Sequence, residues 1–122
     1  MEPEKGAYKM TGNEYQRLAG RTMNPELDGE STTRHALYGL ASEVGEVMSI
    51  FQHALQEGEP ISLPLLIDEM GDVLWFASEL LTSLDIPLDF VMQRNIDKLL
   101  QRYPEGFDAG RSMRRHEGDS DV

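Results

Sequence analysis

Two carboxylate pairs, Glu43-Val-Gly-Glu46 and Glu69-Met-Gly-Asp72, sit inside apolar helical patterns on either side of a break at Gly58 and Pro60. At about 100° per residue, Glu69 falls within the arc of Leu65, Val73, Phe76 and Leu80. Glu43 lies within about 60° of Ala36, Leu40, Val47 and Ala54, and Glu46 and Asp72 stand about 60° further round, at the edge of each stripe. An unpaired carboxylate among apolar neighbours costs several kcal/mol or takes up a proton. Four that face one another add mutual repulsion. A cation relieves both costs. Oxygen ligands without Cys or His favour a hard ion, Mg²⁺ or Mn²⁺, over Zn²⁺.

The surrounding pattern is helical throughout. Leu37, Leu40, Val44, Val47, Phe51 and Leu55 recur mostly at three or four residues, predicting a helix that starts at Ser31, Thr32 or Thr33 and runs to about residue 56. Ser62 as N-cap and Pro64 in the first turn predict a second long helix over residues 63–84. That helix is apolar nearly all round, as expected at the centre of a bundle or against another subunit. Each carboxylate pair lies about 15 Å from the intervening turn, so a hairpin sets the pairs level. Gly45 and Gly71 either let the two backbones approach closely or are simply tolerated.

Upstream, Thr11 and Glu14 have capping-box spacing and predict a short helix to about residue 23, followed by a loop around Pro25 and Gly29. Downstream, a helix is expected over residues 87–102, stopped by Pro104 and Gly106. No strand pattern occurs. The expected architecture is an all-α, four-helix-type bundle over residues 11–107, completed by dimerisation, between a flexible stretch 1–10 and a polar, Gly-rich flexible tail 108–122.

A net charge of −11 argues against duplex nucleic acid and anionic membrane as partners. Bound cations would offset it for an anionic substrate. Cysteine is absent, which removes disulfides and thiolate ligands. No apolar run spans a bilayer and the first residues lack signal-peptide character, so a cytoplasmic protein is expected. Asn95, Lys98 and Arg102 share one face of the last helix, suited either to phosphate oxygens or to a solvated face answering Asp97 and Glu105.

The segments Leu40-Ala-Ser-Glu-Val-Gly-Glu-Val47, Asp68-Glu-Met-Gly-Asp-Val-Leu74 and Asn95-Ile-Asp-Lys-Leu-Leu-Gln-Arg-Tyr-Pro-Glu-Gly-Phe107 together resemble the MazG-type nucleotide pyrophosphohydrolases, of the all-α nucleoside triphosphate pyrophosphatases. The resemblance implies that Glu43, Glu46, Glu69 and Asp72 hold Mg²⁺ (or Mn²⁺). It implies phosphate or metal contact for Asn95 and Lys98, with Arg102 and Tyr103 in the adjoining Arg-Tyr-Pro element. The implied reaction is hydrolysis of a (deoxy)nucleoside triphosphate, non-canonical ones included, to monophosphate and pyrophosphate. Glu43 or Glu46 would orient the water, and the protein would form a homodimer or a dimer-of-dimers tetramer. His35, Tyr38 or Trp75 could stack on the base, with core packing the alternative for Trp75. Ser42 stands where the family commonly carries a further Glu. A non-catalytic metal- or nucleotide-binding regulatory bundle is the alternative that this departure leaves open.

Overall fold

The computed structural model describes residues 9–116, with side chains to residue 113. The expected flexible stretch 1–10 and the end of the tail therefore fall largely outside the described residues. Five helices occur in order: α1 (Gly12–Gly20), α2 (Gly29–Glu57), α3 (Leu63–Ser83), α4 (Leu88–Arg102) and α5 (Ala109–His116). Among the described residues there is no strand, and the all-α expectation stands. No described helix is long and apolar enough to cross a membrane.

Local chemistry sets most of the boundaries. Thr11 and Glu14 form the expected capping box, with the Glu14 amide donating to Thr11 Oγ1 at 3.0 Å and the Thr11 amide to Glu14 Oε2 at 3.3 Å. α1 stops at Gly20, earlier than the sequence pattern suggests, and residues 21–23 continue only as turn. The N-cap of α2 is Asp28, whose Oδ1 accepts from the Ser31 amide at 2.7 Å. The expected caps lie inside the helix, where the Thr32 and Thr33 hydroxyls bond back to the Asp28 and Gly29 carbonyls. α2 closes on Gly58, at a left-handed φ of 64° that suits glycine. Ser62 caps α3 as expected, its Oγ accepting from the Leu65 amide at 3.4 Å.

Packing is unequal. α2 and α3 form an extended antiparallel hairpin, α1 packs against α3, and α4 packs against α1. Pro87 offers α4 no side-chain cap, so α1 supplies the caps. Gln16 Oε1 accepts from the Leu88 amide at 2.9 Å and Asn13 Oδ1 from the Asp89 amide at 2.9 Å. In return, the Asn13 amide donates to Asp89 Oδ1 at 3.1 Å and Gln16 Nε2 to the Ile86 carbonyl at 2.9 Å.

The expectation that α3 occupies a buried centre fails for the single chain. The buried side chains among the described residues are Ala36, Thr32, Ser78 and Glu79. Leu63, Leu65, Ile67, Met70 and Leu74 of α3 remain substantially exposed, as do Phe90, Met92 and Ile96 of α4. Within the tail, Ala109–His116 is helical, and Asp108 Oδ1 accepts from the Gly110 and Arg111 amides at its start.

Candidate metal centre and adjoining cleft

The hairpin brings the two carboxylate motifs level. Glu43, Glu69 and Asp72 each present an oxygen such that all three lie within 4.8 Å of one another. Glu43 and Glu69 are half-buried and Asp72 is exposed. One Glu43 oxygen, Oε2, is sealed from solvent and has no hydrogen-bond partner. A hydrogen bond with Glu69, then burial, then the charges of Asp72, Glu69 and Glu46 hold the Glu43 carboxyl above its ordinary range.

These residues fit a divalent cation. The donors are hard oxygens, they converge, one is orphaned, and a bound cation would offset their mutual repulsion. Glu46, the fourth expected ligand, is exposed and lies outside this close trio. Its charge still acts on Glu43, and its side chain lines the cleft beside the trio. Ser42 is exposed next to Glu43, and the trio forms without it.

Gly45 and Gly71 face open space, with nothing within 4 Å of an added Cβ, so the tolerance reading holds in the single chain. The close approach occurs six residues earlier, at Gly39, where a Cβ would collide with the Phe76 ring. Gly39 thus lets α2 seat against Phe76, one turn beyond Asp72.

The expected base-stacking residues form a cluster further along the same seam. His35 Nδ1 meets Glu79 Oε1 at 2.7 Å, and Glu79 is 1% exposed. The His35 ring packs against Trp75 and Phe76, with centroids 6.4 and 5.6 Å away. Trp75 Nε1 donates to Thr22 Oγ1 at 2.8 Å. Tyr38 is exposed on α2. The structure brings His35 and Trp75 together and places both away from the cleft described next. Glu79 escaped the sequence reading, although a Glu seven residues after Asp72 on an otherwise apolar helix was a visible signal. Tyr15 escaped as well: burial first, and then the Asp72 charge, push its phenol above its ordinary range, which places α1 beside the cluster.

Asn95, Lys98 and Arg102 ride on α4, which packs against α1. Asn95 and Lys98 make no hydrogen bond or ion pair with the carboxylate trio within this chain. The Arg102 carbonyl accepts from Arg111 Nη1 at 3.3 Å, tying α5 to the end of α4.

A cleft of about 380 Å³ opens between α2 and α3 on the hairpin side of the trio. Glu46 and Glu69 form its inner end, Ile50, Ala54, Leu65 and Pro60 its apolar walls, and His53, Glu57 and Glu59 its outer part. The volume lies within the range of small-molecule sites, and carboxylates that fit a cation adjoin it directly. The sequence signal was the continuation of the Glu43–Glu46 stripe through Ile50 and His53 at helical spacing.

Residues 31–107 match the family described as the MazG nucleotide pyrophosphohydrolase domain. The gene 37 protein of Mycobacterium phage L5 is 33% identical over 76 residues, covering 59% of this chain and 67% of that protein. No solved structure matches.

Proposed function

Because the chain belongs to the MazG nucleotide pyrophosphohydrolase domain family, we propose that it hydrolyses (deoxy)nucleoside triphosphates to the monophosphate and pyrophosphate. Glu43, Glu69 and Asp72 would hold Mg²⁺ or Mn²⁺, with Glu46 at the cleft edge completing the set. The observation that carries this reading is the convergence of the carboxylate trio, with its sealed Glu43 oxygen, beside a nucleoside-sized cleft that Glu69 of the trio lines. When bound, the cation supplies charge neutralisation for the triphosphate and activation of water.

The chain's own residues do the rest. The apolar walls around Ile50, Ala54 and Leu65 receive the nucleoside, which sets the α-phosphorus against Glu43, Glu69 and Asp72. Glu43 or Glu46 accepts the proton of the attacking water. Attack on the α-phosphorus breaks its bond to the bridging oxygen, and pyrophosphate departs with that oxygen. Lys98 and Asn95 are assigned to the departing phosphates. In one chain they lie on a helix packed elsewhere, and the apolar faces left open on α2, α3 and α4 support a homodimer or dimer of dimers. In such an assembly α4 of one copy can approach the cluster of another.

The test is pyrophosphate release from nucleoside triphosphates with and without Mg²⁺. Wild type is expected to turn over only with the cation, and Glu69→Ala to lose turnover by at least about a hundredfold while keeping its helical circular dichroism, as expected when charge stabilisation at the reacting phosphate is lost. Activity near wild type in that variant would refute the reading. Mg²⁺ and nucleotide binding without turnover in the wild type would instead mark the regulatory alternative associated with Ser42.

A further inference from the structure

We propose that the cleft selects nucleotides whose base carries an exocyclic amino group, cytosine and adenine, over their deaminated counterparts, uracil and hypoxanthine. This rests on the triphosphate-cleaving reading above and names the substrate class of that same site. It also argues against deaminated nucleotides as the non-canonical substrates that the sequence left open.

The lining is rich in hydrogen-bond acceptors and poor in donors. Walls of Ile50, Ala54, Leu65 and Pro60 give the base apolar surface and carry no hydrogen-bonding side chain. Polar side chains sit at the ends. At the inner end Glu46 and Glu69 belong with the trio. At the outer end stand Glu57 and Glu59, with Ser49, His53 and Ser62 between. No Lys, Arg, Asn or Gln lines the cleft. Ionised carboxylates only accept hydrogen bonds. The side-chain donors present are two hydroxyls and one imidazole; Ser62 Oγ accepts from the Leu65 amide and keeps its own proton to donate. The Gly58 and Glu59 amides, which could have offered backbone donors, are spent on the Ala54 carbonyl.

Position agrees with chemistry. His53 lies seven residues from Glu46, about 10 Å along α2, and Glu57 lies about 16 Å along it. A helical Cα–Cβ bond tilts toward the N-terminus, so the Glu57 side chain leans back over the Ala54 turn toward the cleft. A base seated against Ile50 and Leu65, with its phosphates at Glu69, therefore turns its far edge toward Glu57 and Glu59. At the position facing Glu57 and Glu59, cytosine and adenine present an N–H₂ donor, where uracil and hypoxanthine present a carbonyl acceptor and carry their N–H one atom round the ring. A carbonyl set against a carboxylate loses its hydrogen bond to water and gains a repulsion.

Two matched pairs test this, dCTP against dUTP and dATP against dITP, because each pair keeps its ring system and exchanges the amine for a carbonyl, with the neighbouring ring nitrogen gaining a proton. The expected kcat/KM is at least about tenfold higher for the amino member of each pair, below the discrimination of a fully buried polar site because these carboxylates are exposed. In the double variant E57Q/E59Q, whose amides donate as well as accept, both ratios are expected to fall to within about threefold. Equal or reversed preference in wild type would overturn the proposal, as would ratios unchanged in the double variant. Should wild type cleave none of the four with Mg²⁺ or Mn²⁺, the reaction assignment fails. The cleft is then tested separately by calorimetry with dCMP, dUMP, dAMP and dIMP, where the same order of affinity supports the proposal and equal affinities refute it.

Discussion

The sharpest structural prediction contrasts two glycines of one helix. A Cβ added at Gly39 would lie closer than 3.0 Å to several atoms of the Phe76 ring. That ring cannot simply swing away, because Trp75 packs edge-on against it at 5.1 Å and His35 lies at 5.6 Å. Gly39→Ala must therefore part α2 from α3 or force Phe76 off its rotamer, an overpacking cost of about 1–3 kcal/mol. Exchanging Gly for Ala in a helix returns about 1 kcal/mol. The net is a loss of up to about 2 kcal/mol, or a melting temperature lower by up to roughly 10 °C for a domain of this size. Gly45→Ala, six residues on, meets nothing within 4 Å. It is expected to stabilise by about 1 kcal/mol through the same helix term. Thermal unfolding at equal protein concentration compares them, and Phe76→Leu in the Gly39→Ala background is expected to restore part of the loss. A Gly39→Ala protein as stable as Gly45→Ala would refute the seating of Phe76 on Gly39, and with it the register that sets Glu43 against Asp72.

Three further outcomes follow from the carboxylates and the open faces. The raised Glu43 group, with its ordinary value at 4.5, contributes stability that is fully present below that value and lost as pH rises through the raised one, in the cation-free protein. Mg²⁺ displaces that proton, so its stabilisation, about 2.7 kcal/mol at a hundredfold excess over Kd, should grow with pH, and calorimetry in buffers of different ionisation enthalpy should show proton release. His35→Ala leaves Glu79 buried without its imidazole partner and is expected to lower stability by about 1–3 kcal/mol in denaturant unfolding; an unchanged midpoint would show that the pair contributes nothing. Light scattering is expected to give twice or four times the chain mass, and a monomer would contradict the assignment of the open α2, α3 and α4 faces to a second copy.

The parts legible in the sequence were those governed by local rules. The Thr11 capping box, the Ser62 cap and the trio Glu43, Glu69 and Asp72 all follow from spacing within one helix or across one short turn. Asp28 was missed because Ser31, Thr32 and Thr33 offer three good caps a few residues later, and only backbone geometry chooses among them. Gly39 was missed because nothing in a glycine's neighbours along the chain reveals the ring that crosses it. The packing of α4 on α1 depends on the reciprocal contacts of Asn13 and Gln16 with Leu88 and Asp89, residues more than seventy positions apart. Helical periodicity carries no record of such a pairing, so Asn95 and Lys98 read as neighbours of the carboxylates that one chain does not bring to them.

The most direct test of the central claim is where solvent oxygen goes. Hydrolysis of a nucleoside triphosphate by the Mg²⁺-loaded protein in ¹⁸O-labelled water, with products resolved by ³¹P NMR, reads both the bond broken and the phosphorus attacked. Attack at the α-phosphorus beside Glu43, Glu69 and Asp72 is expected to yield monophosphate and pyrophosphate, with the label in the monophosphate. Label in pyrophosphate, or formation of diphosphate and inorganic phosphate, would contradict it.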